Sequence, residues 1–129
     1  MILGVASPWT ERKGLEDFFS LWEELDHDRY VIVLVGLSKK QLRSLPEGVV
    51  GLKRTDSPQE LAAIYTAADV FFNPTREDNY PTVILEAEAC GTSVITYEIG
   101  GCKEAIAREH SKFIYPDWHI MWHMLSKNE

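Results

Sequence analysis

The sequence predicts an α/β chain: a doubly wound parallel sheet of about six strands with helices on both faces. Two features predict it. Short apolar segments alternate along the chain with stretches patterned like amphipathic helices, and that alternation encodes a parallel sheet, because each parallel connection needs a crossover. Several apolar segments are unbroken, such as Val31-Ile32-Val33-Leu34-Val35, and a strand with no polar alternation is covered on both faces.

The strands are expected at Ile2 to Ala6, Tyr30 to Gly36, Val49 to Arg54, Asp69 to Asn73, Ser93 to Tyr97 and, more weakly, Phe113 to Tyr115. Between the first two, Gly14 to His27 carries Leu15, Phe18, Phe19, Leu21, Trp22 and Leu25 near the i, i+3, i+4, i+7 pattern. Its acids Glu16, Asp17, Glu23, Glu24 and Asp26 then fall mostly on the outer face, a solvated helix surface and not a metal site. Ser38-Lys39-Lys40 opens a helix with two cations in its first turn, where the macrodipole disfavours them. A nearby anion and a solvated surface pair are both open explanations. Ser57 before Pro58 is an N-cap followed by proline at the first helical position, opening a helix through Ala67. Pro81 opens another, which Gly91 stops. Asp117 to Glu129 reads as an amphipathic helix with Trp118, Met121, Trp122 and Leu125 on one stripe.

At 129 residues, 45% of them hydrophobic and 26% charged, the chain suits one globular domain, the usual size being about 100–200 residues. Neither a repeat nor a Gly/Ser linker divides it, so a single domain is expected over residues 1–129. Thirteen basic against 20 acidic residues leave a net charge of −7. That removes the long-range attraction to phosphate backbones, and nucleic acid and anionic membrane surfaces are not expected partners. Cys90 and Cys102 show no CxxC spacing, so two thiols in a reducing compartment are expected and a zinc site is not. No apolar run approaches the ~20 residues of a membrane helix, and a cytoplasmic location follows as the expectation.

Ligands of an open parallel sheet bind beyond the carboxyl ends of its strands, where the strand order reverses. Arg12 and Lys13 follow the first strand, Lys39 and Lys40 the second, and Lys53 and Arg54 lie at the end of the third. Such a basic rim on an acidic chain points to a small anionic ligand. After the fourth strand, the polar loop Asn73-Pro74-Thr75-Arg76-Glu77-Asp78-Asn79-Tyr80-Pro81 feeds a helix whose first N–H groups, from Thr82 and Val83, form an anion site. On that helix Val83, Ala87 and Cys90 share a face, with Glu86 at its border and no basic neighbour three or four residues away. A partly desolvated carboxylate there needs a partner: a ligand, or a cation from elsewhere in the fold. Glu88 is expected at the surface.

Other chemistries lack their residues. There is no GxGxxG after the first strand and no GxxxxGK[ST] loop. The first strand ends in Ala6-Ser7-Pro8 where a phosphoacceptor domain would gather acids. His119 and His123 stand one turn apart without HExxH, which fits an amphipathic tail better than a zinc site.

The segments Asp69-Val70-Phe71-Phe72-Asn73-Pro74-Thr75, Glu77-Asp78-Asn79-Tyr80-Pro81-Thr82-Val83-Ile84-Leu85-Glu86-Ala87, Ala89-Cys90-Gly91-Thr92-Ser93-Val94-Ile95 and Gly100-Gly101-Cys102-Lys103-Glu104 together resemble the donor-binding half of GT-B glycosyltransferases. The similarity runs from about Ile2 to Glu109 and is greatest to the retaining family-four enzymes, especially bacterial ones that build capsular or exported polysaccharides. It implies a Rossmann-like donor-binding domain, the C-terminal half of a GT-B fold, which transfers a sugar from a nucleotide diphosphate sugar to a glycan without a metal or other cofactor.

By the same resemblance, the Glu-x7-Glu signature falls on Asp78 and Glu86, with Glu77 adjacent to the first acid. Glu86 would hold the donor's ribose, Asp78, Asn79, Tyr80, Pro81 and Thr82 the sugar and phosphate, and Arg54 and Thr55 would lie near the base. Lys13 of Lys13-Gly14 would neutralise the departing diphosphate, so that Lys13 and Asp78 are the residues implied in catalysis. Three departures stand out: Ser7 replaces an arginine common in the family, Asn79-Tyr80-Pro81 replaces Gly-Phe-Gly, and these residues are expected to hold the donor half without the N-terminal acceptor-binding domain. The last leaves an alternative expectation, a stand-alone nucleotide-sugar binding or interaction domain without turnover. The whole enzyme is expected in the cytoplasm, peripheral to the inner face of the membrane.

Overall fold

A computed structural model describes residues 1–6, 9–10, 13–75, 82–97 and 113–115. Its elements are β1 (Ile2–Val5), α1 (Leu15–Glu24), β2 (Ile32–Val35), α2 (Lys39–Arg43), β3 (Val50–Leu52), α3 (Pro58–Ala67), β4 (Val70–Asn73), α4 (Thr82–Ala89), β5 (Ser93–Tyr97) and β6 (Phe113–Tyr115). All five strand pairings are parallel, in the order β3-β2-β1-β4-β5-β6. From β1 the chain steps outward to β2 and β3, then returns to lay β4 on the other side of β1. Right-handed crossovers therefore put α1 and α2 on one face and α3 and α4 on the opposite one. The expected doubly wound, Rossmann-like sheet is what the chain forms.

Two separate cores follow. On the α1 face, Ile32, Leu34, Phe72 and Ile95 pack with Phe18, Leu21 and Trp22. On the other, Leu3, Val33, Val35, Phe71 and Val94 pack with Tyr65, Ile84 and Ala87. β2 is buried at every residue, as its unbroken apolar run requires. Gly4 is what lets α1 sit close: a Cβ there would lie 2.5 Å from Phe18 Cζ. Phe18 in turn meets Trp9 and Phe72 edge-on, with ring centroids 5.6 and 4.9 Å apart.

Several expectations change. β3 is a three-residue edge strand, shorter than the expected Val49 to Arg54, and its Val50 and Leu52 remain 44% and 38% exposed. Asp17 is buried, not on the outer face of α1. It lies three residues after Gly14 and so on the same side of the helix start, the side pressed against Pro74. The first-turn lysines of α2 are exposed on a five-residue helix held by a capping box: Ser38 Oγ accepts from Gln41 N–H at 3.1 Å, and Gln41 Oε1 from Ser38 N–H at 3.0 Å. Ser57 caps α3 as expected, accepting from Glu60 N–H at 3.1 Å. The helix expected over Asp117 to Glu129, with His119 and His123, lies outside the described residues, as does Cys102. Among the described residues no helix is long and apolar enough to cross a membrane, and no group of three or more His, Cys, Asp or Glu is placed to hold a metal.

Candidate functional site

The strand order reverses between β1 and β4, and a cleft of about 810 Å³ opens at the carboxyl ends of β1 and β2. Its floor is Val5, Ala6, Val35 and Gly36; one wall is residues 54–58 with the inner face of α3, the other is α4. Local sequence sets each wall. The Ser57 cap and Pro58 start α3 immediately after the β3 exit, which holds Arg54 and Thr55 at the rim. A Schellman turn ends α4: Thr92 N–H donates to Ala87 O at 3.0 Å and Gly91 N–H to Glu88 O at 2.9 Å, with Gly91 at φ +78°.

The rotation of α4 differs from the expected one. Ile84, Ala87 and Glu88 are its buried residues, so the helix turns Ile84 inward and Val83 and Cys90 to one side. Glu86, two residues and about 200° round from Ile84, is exposed and not partly desolvated as expected. Together with Thr82, Val83, Ala89 and Cys90 it forms the edge of α4 that lines the cleft. Glu88, expected at the surface, is instead buried, 7% exposed, on the core side of the helix.

Glu86 finds no cation among the described residues; its partner is a phenol. Tyr65 on α3, 1% exposed, reaches across to donate its hydroxyl to Glu86 Oε2 at 3.1 Å. Burial, then the negative charge and the hydrogen bond of Glu86, hold the Tyr65 hydroxyl well above the ordinary tyrosine range. It therefore stays a donor at every physiological pH. Sequence reasoning missed Tyr65, and the available signal was its place four residues after Leu61 on the apolar side of α3, where a buried tyrosine hydroxyl needs an acceptor.

The basic rim resolves unevenly. Arg54 lines the cleft, whereas Lys39, Lys40 and Lys53 are exposed without lining it, and Arg12 lies outside the described residues. Lys13, half-buried, does not line it either. It precedes Gly14 (φ +86°), where a Cβ would lie 2.2 Å from the Pro74 carbonyl oxygen. The Lys13-Gly14 turn is thus pressed against the start of the loop after β4, at the strand-order reversal. That loop leaves a rigid end: Thr96 Oγ1 donates to Asn73 O at 2.8 Å, and Asn73, Pro74 and Thr75 are buried. Trp9, another residue the sequence did not flag, fastens the β1 exit by donating from Nε1 to Val35 O at 2.9 Å. Ser7, Glu77, Asp78, Asn79, Tyr80 and Pro81 lie outside the described residues. Of the sequence-derived site residues, Arg54, Thr55, Thr82 and Glu86 are brought together in one cleft.

A carboxylate, a guanidinium and the first-turn N–H groups of a helix can together hold a ligand carrying both hydroxyls and negative charge. The sequence and fold are similar to those of known proteins. A family model described as glycosyl transferases group 1 matches residues 1–122. A D-inositol 3-phosphate glycosyltransferase of Saccharomonospora viridis is 34% identical over 108 residues, covering 70% of this chain and 25% of the relative. Its counterpart in Corynebacterium urealyticum is 44% identical over 54 residues, covering 42% of this chain and 13% of the relative. Among solved structures, Alr3699/HepE of Anabaena in complex with UDP-glucose superposes with a TM-score of 0.75 at 18% identity, over 98% of this chain and 38% of that one. Sucrose-phosphate synthase from Thermosynechococcus elongatus gives 0.70 at 25% identity, over 89% of this chain and 32% of that one. The chain thus spans a quarter or less of the length of these curated relatives.

Proposed function

Since the chain belongs to the group 1 glycosyl transferases, we propose that residues 1–129 form the donor-binding domain of a retaining, family-four enzyme that moves a sugar from a nucleotide diphosphate sugar to a glycan. One observation carries this: Arg54 and Thr55 stand across a single cleft from Glu86 and the first turn of α4. In that cleft Glu86 accepts hydrogen bonds from the ribose, and the base lies against Arg54 and Thr55. The diphosphate lies at the α4 start, where the N–H groups of the first turn have no helical acceptor. Lys13 neutralises the charge that develops as the diphosphate leaves, and no metal is required for it. Asp78, with Asn79, Tyr80, Pro81 and Thr82, holds the transferred sugar, as their match to the family's motif implies.

A uridine diphosphate sugar is the donor this reading favours, since HepE holds UDP-glucose on the same fold. Capsule or exopolysaccharide assembly at the cytoplasmic face of a bacterial membrane is the proposed setting. Because the chain covers at most a quarter of these relatives, the acceptor side of the active site belongs to a second domain, and this chain by itself is a nucleotide-sugar binding unit without turnover. Calorimetric titration of the chain with UDP-glucose, UDP-N-acetylglucosamine and GDP-mannose tests both parts. Weak binding of at least one nucleotide sugar, with no sugar release or transfer, is expected. Brisk transfer by the 129-residue chain, or no binding of any of the three, refutes the assignment.

A further inference from the structure

Within the proposed donor cleft, and resting on that assignment, we infer that Tyr65 is a positioning residue for Glu86, binding one carboxylate oxygen so that the other faces the ribose diol. An ionised carboxylate has two oxygens and about four acceptor positions. On an exposed stretch of helix such a group rotates freely and meets water from every side. Here Oε2 accepts the Tyr65 hydroxyl at 3.1 Å, which removes most of that rotation and leaves Oε1 as the oxygen for a ligand.

The tyrosine is itself immobilised. Its ring is packed against Phe71, edge to face, with centroids 5.6 Å apart. Its backbone carbonyl accepts from the Thr92 hydroxyl and from Ala68 N–H at 3.2 Å. α3 is thereby tied to the turn that ends α4, and the distance between donor and carboxylate is set by packing on both sides. A phenol suits this role because it reaches from the core to the cleft edge on a rigid ring with two side-chain torsions. Its raised ionisation range keeps the proton in place, because burial and the neighbouring charge both oppose loss of it.

The consequence is selective. Tyr65 lines the cleft but is only 1% exposed, so on this inference it acts through Glu86 and matters for nucleotides that bring hydroxyls to Glu86, not for those that lack them. The experiment compares UDP with 2′,3′-dideoxyuridine diphosphate on the parent chain, Tyr65→Phe, Glu86→Ala and the double variant, with urea unfolding of all four. The parent chain is expected to prefer UDP. Tyr65→Phe should lower UDP affinity by about three- to tenfold, the loss expected when the ligand must itself order one flexible side chain, while leaving the dideoxy affinity unchanged. In the Glu86→Ala background, where no side chain is left for Tyr65 to orient, the same substitution should have no further effect on UDP. Equal weakening of both nucleotides in Tyr65→Phe marks a merely structural tyrosine and overturns the inference. So does undiminished preference for UDP, and in either case the donor-cleft reading survives. If the parent chain binds neither nucleotide, or both equally, the donor-cleft reading itself fails and Tyr65 loses its role with it.

Discussion

Gly14 and Gly91 both adopt left-handed backbone, at φ +86° and +78°, yet alanine should cost very different amounts at the two. At Gly91 a Cβ meets nothing within 4 Å. The penalty there is the left-handed conformation alone, about 1–2 kcal/mol, offset in part by about 0.4–1 kcal/mol from a stiffer unfolded chain. Roughly 0.5–1.5 kcal/mol of destabilisation remains. At Gly14 the same balance applies, but the new Cβ also falls 2.2 Å from the Pro74 carbonyl oxygen and 2.7 Å from its Cγ. A backbone oxygen cannot swing aside as a side chain can, and Pro74 is held by the buried ends of β4 and β5. Overpacking of that kind adds about 1–3 kcal/mol, bringing Gly14→Ala to roughly 2–4 kcal/mol. Urea unfolding followed by tryptophan fluorescence measures both variants, with equal m-values required for the comparison. Because relief of the clash moves the Lys13 turn away from the β4 exit, UDP binding should fall in Gly14→Ala and hold in Gly91→Ala when both are assayed well below their unfolding midpoints. If Gly14→Ala is no less stable than Gly91→Ala, the contact between the Lys13-Gly14 turn and Pro74 carries no weight in the fold.

Glu86→Gln should change the unfolding free energy by less than about 1 kcal/mol, because the amide oxygen still accepts from Tyr65, while UDP affinity drops; a lowered midpoint with unchanged affinity removes Glu86 from the site. Lys13→Ala should weaken UDP binding and flatten its dependence on salt between low and physiological ionic strength; the same affinity and slope as the parent would leave Lys13 a surface residue. The raised ionisation range of Tyr65 makes stability depend on pH. Below the ordinary tyrosine value of 10.0 both states keep the proton, and above it the unfolded chain loses the proton while the folded chain retains it, so stability declines. Thermal unfolding should therefore worsen between pH 9 and 11, roughly either side of that value, and Tyr65→Phe should lose less over the same interval. An identical loss in the two proteins would show the hydroxyl to be accessible to solvent.

Much of this is legible in the sequence because it is local. Ser57-Pro58 announces a helix start wherever it occurs, Gly91 a helix stop, and the Val31–Val35 run a strand covered on both sides. Each depends on the backbone demands of neighbouring residues, which a sequence displays directly. Arg54 is placed near a site by the rule that ligands gather at strand carboxyl ends and Glu86 by its helix position with no basic neighbour, whereas Thr55 is reached only through the family resemblance. Two of the errors are of one kind. Helical periodicity puts Asp17 and Glu88 at the surface, and both are buried.

Periodicity fixes the spacing of residues around a helix but not the angle at which the helix meets its neighbours. On α4, with apolar or small residues on several sides, a rotation of about 100°, one residue's worth, exchanges Val83 for Ile84 at the centre of the contact and turns Glu88 inward and Glu86 outward. What the sequence by itself determined was the alternation of strands and helices, their capped ends and the acids and bases available at one edge of the sheet. What only the tertiary structure decided was which of them share a cleft: Arg54 and not Lys39, Lys40 or Lys53, and a carboxylate answered by Tyr65 on the neighbouring helix instead of by a cation. Tyr65 and Glu86 stand 21 positions apart in the chain, with β4 between their helices, and no local pattern encodes the packing of α3 against α4 that closes that distance.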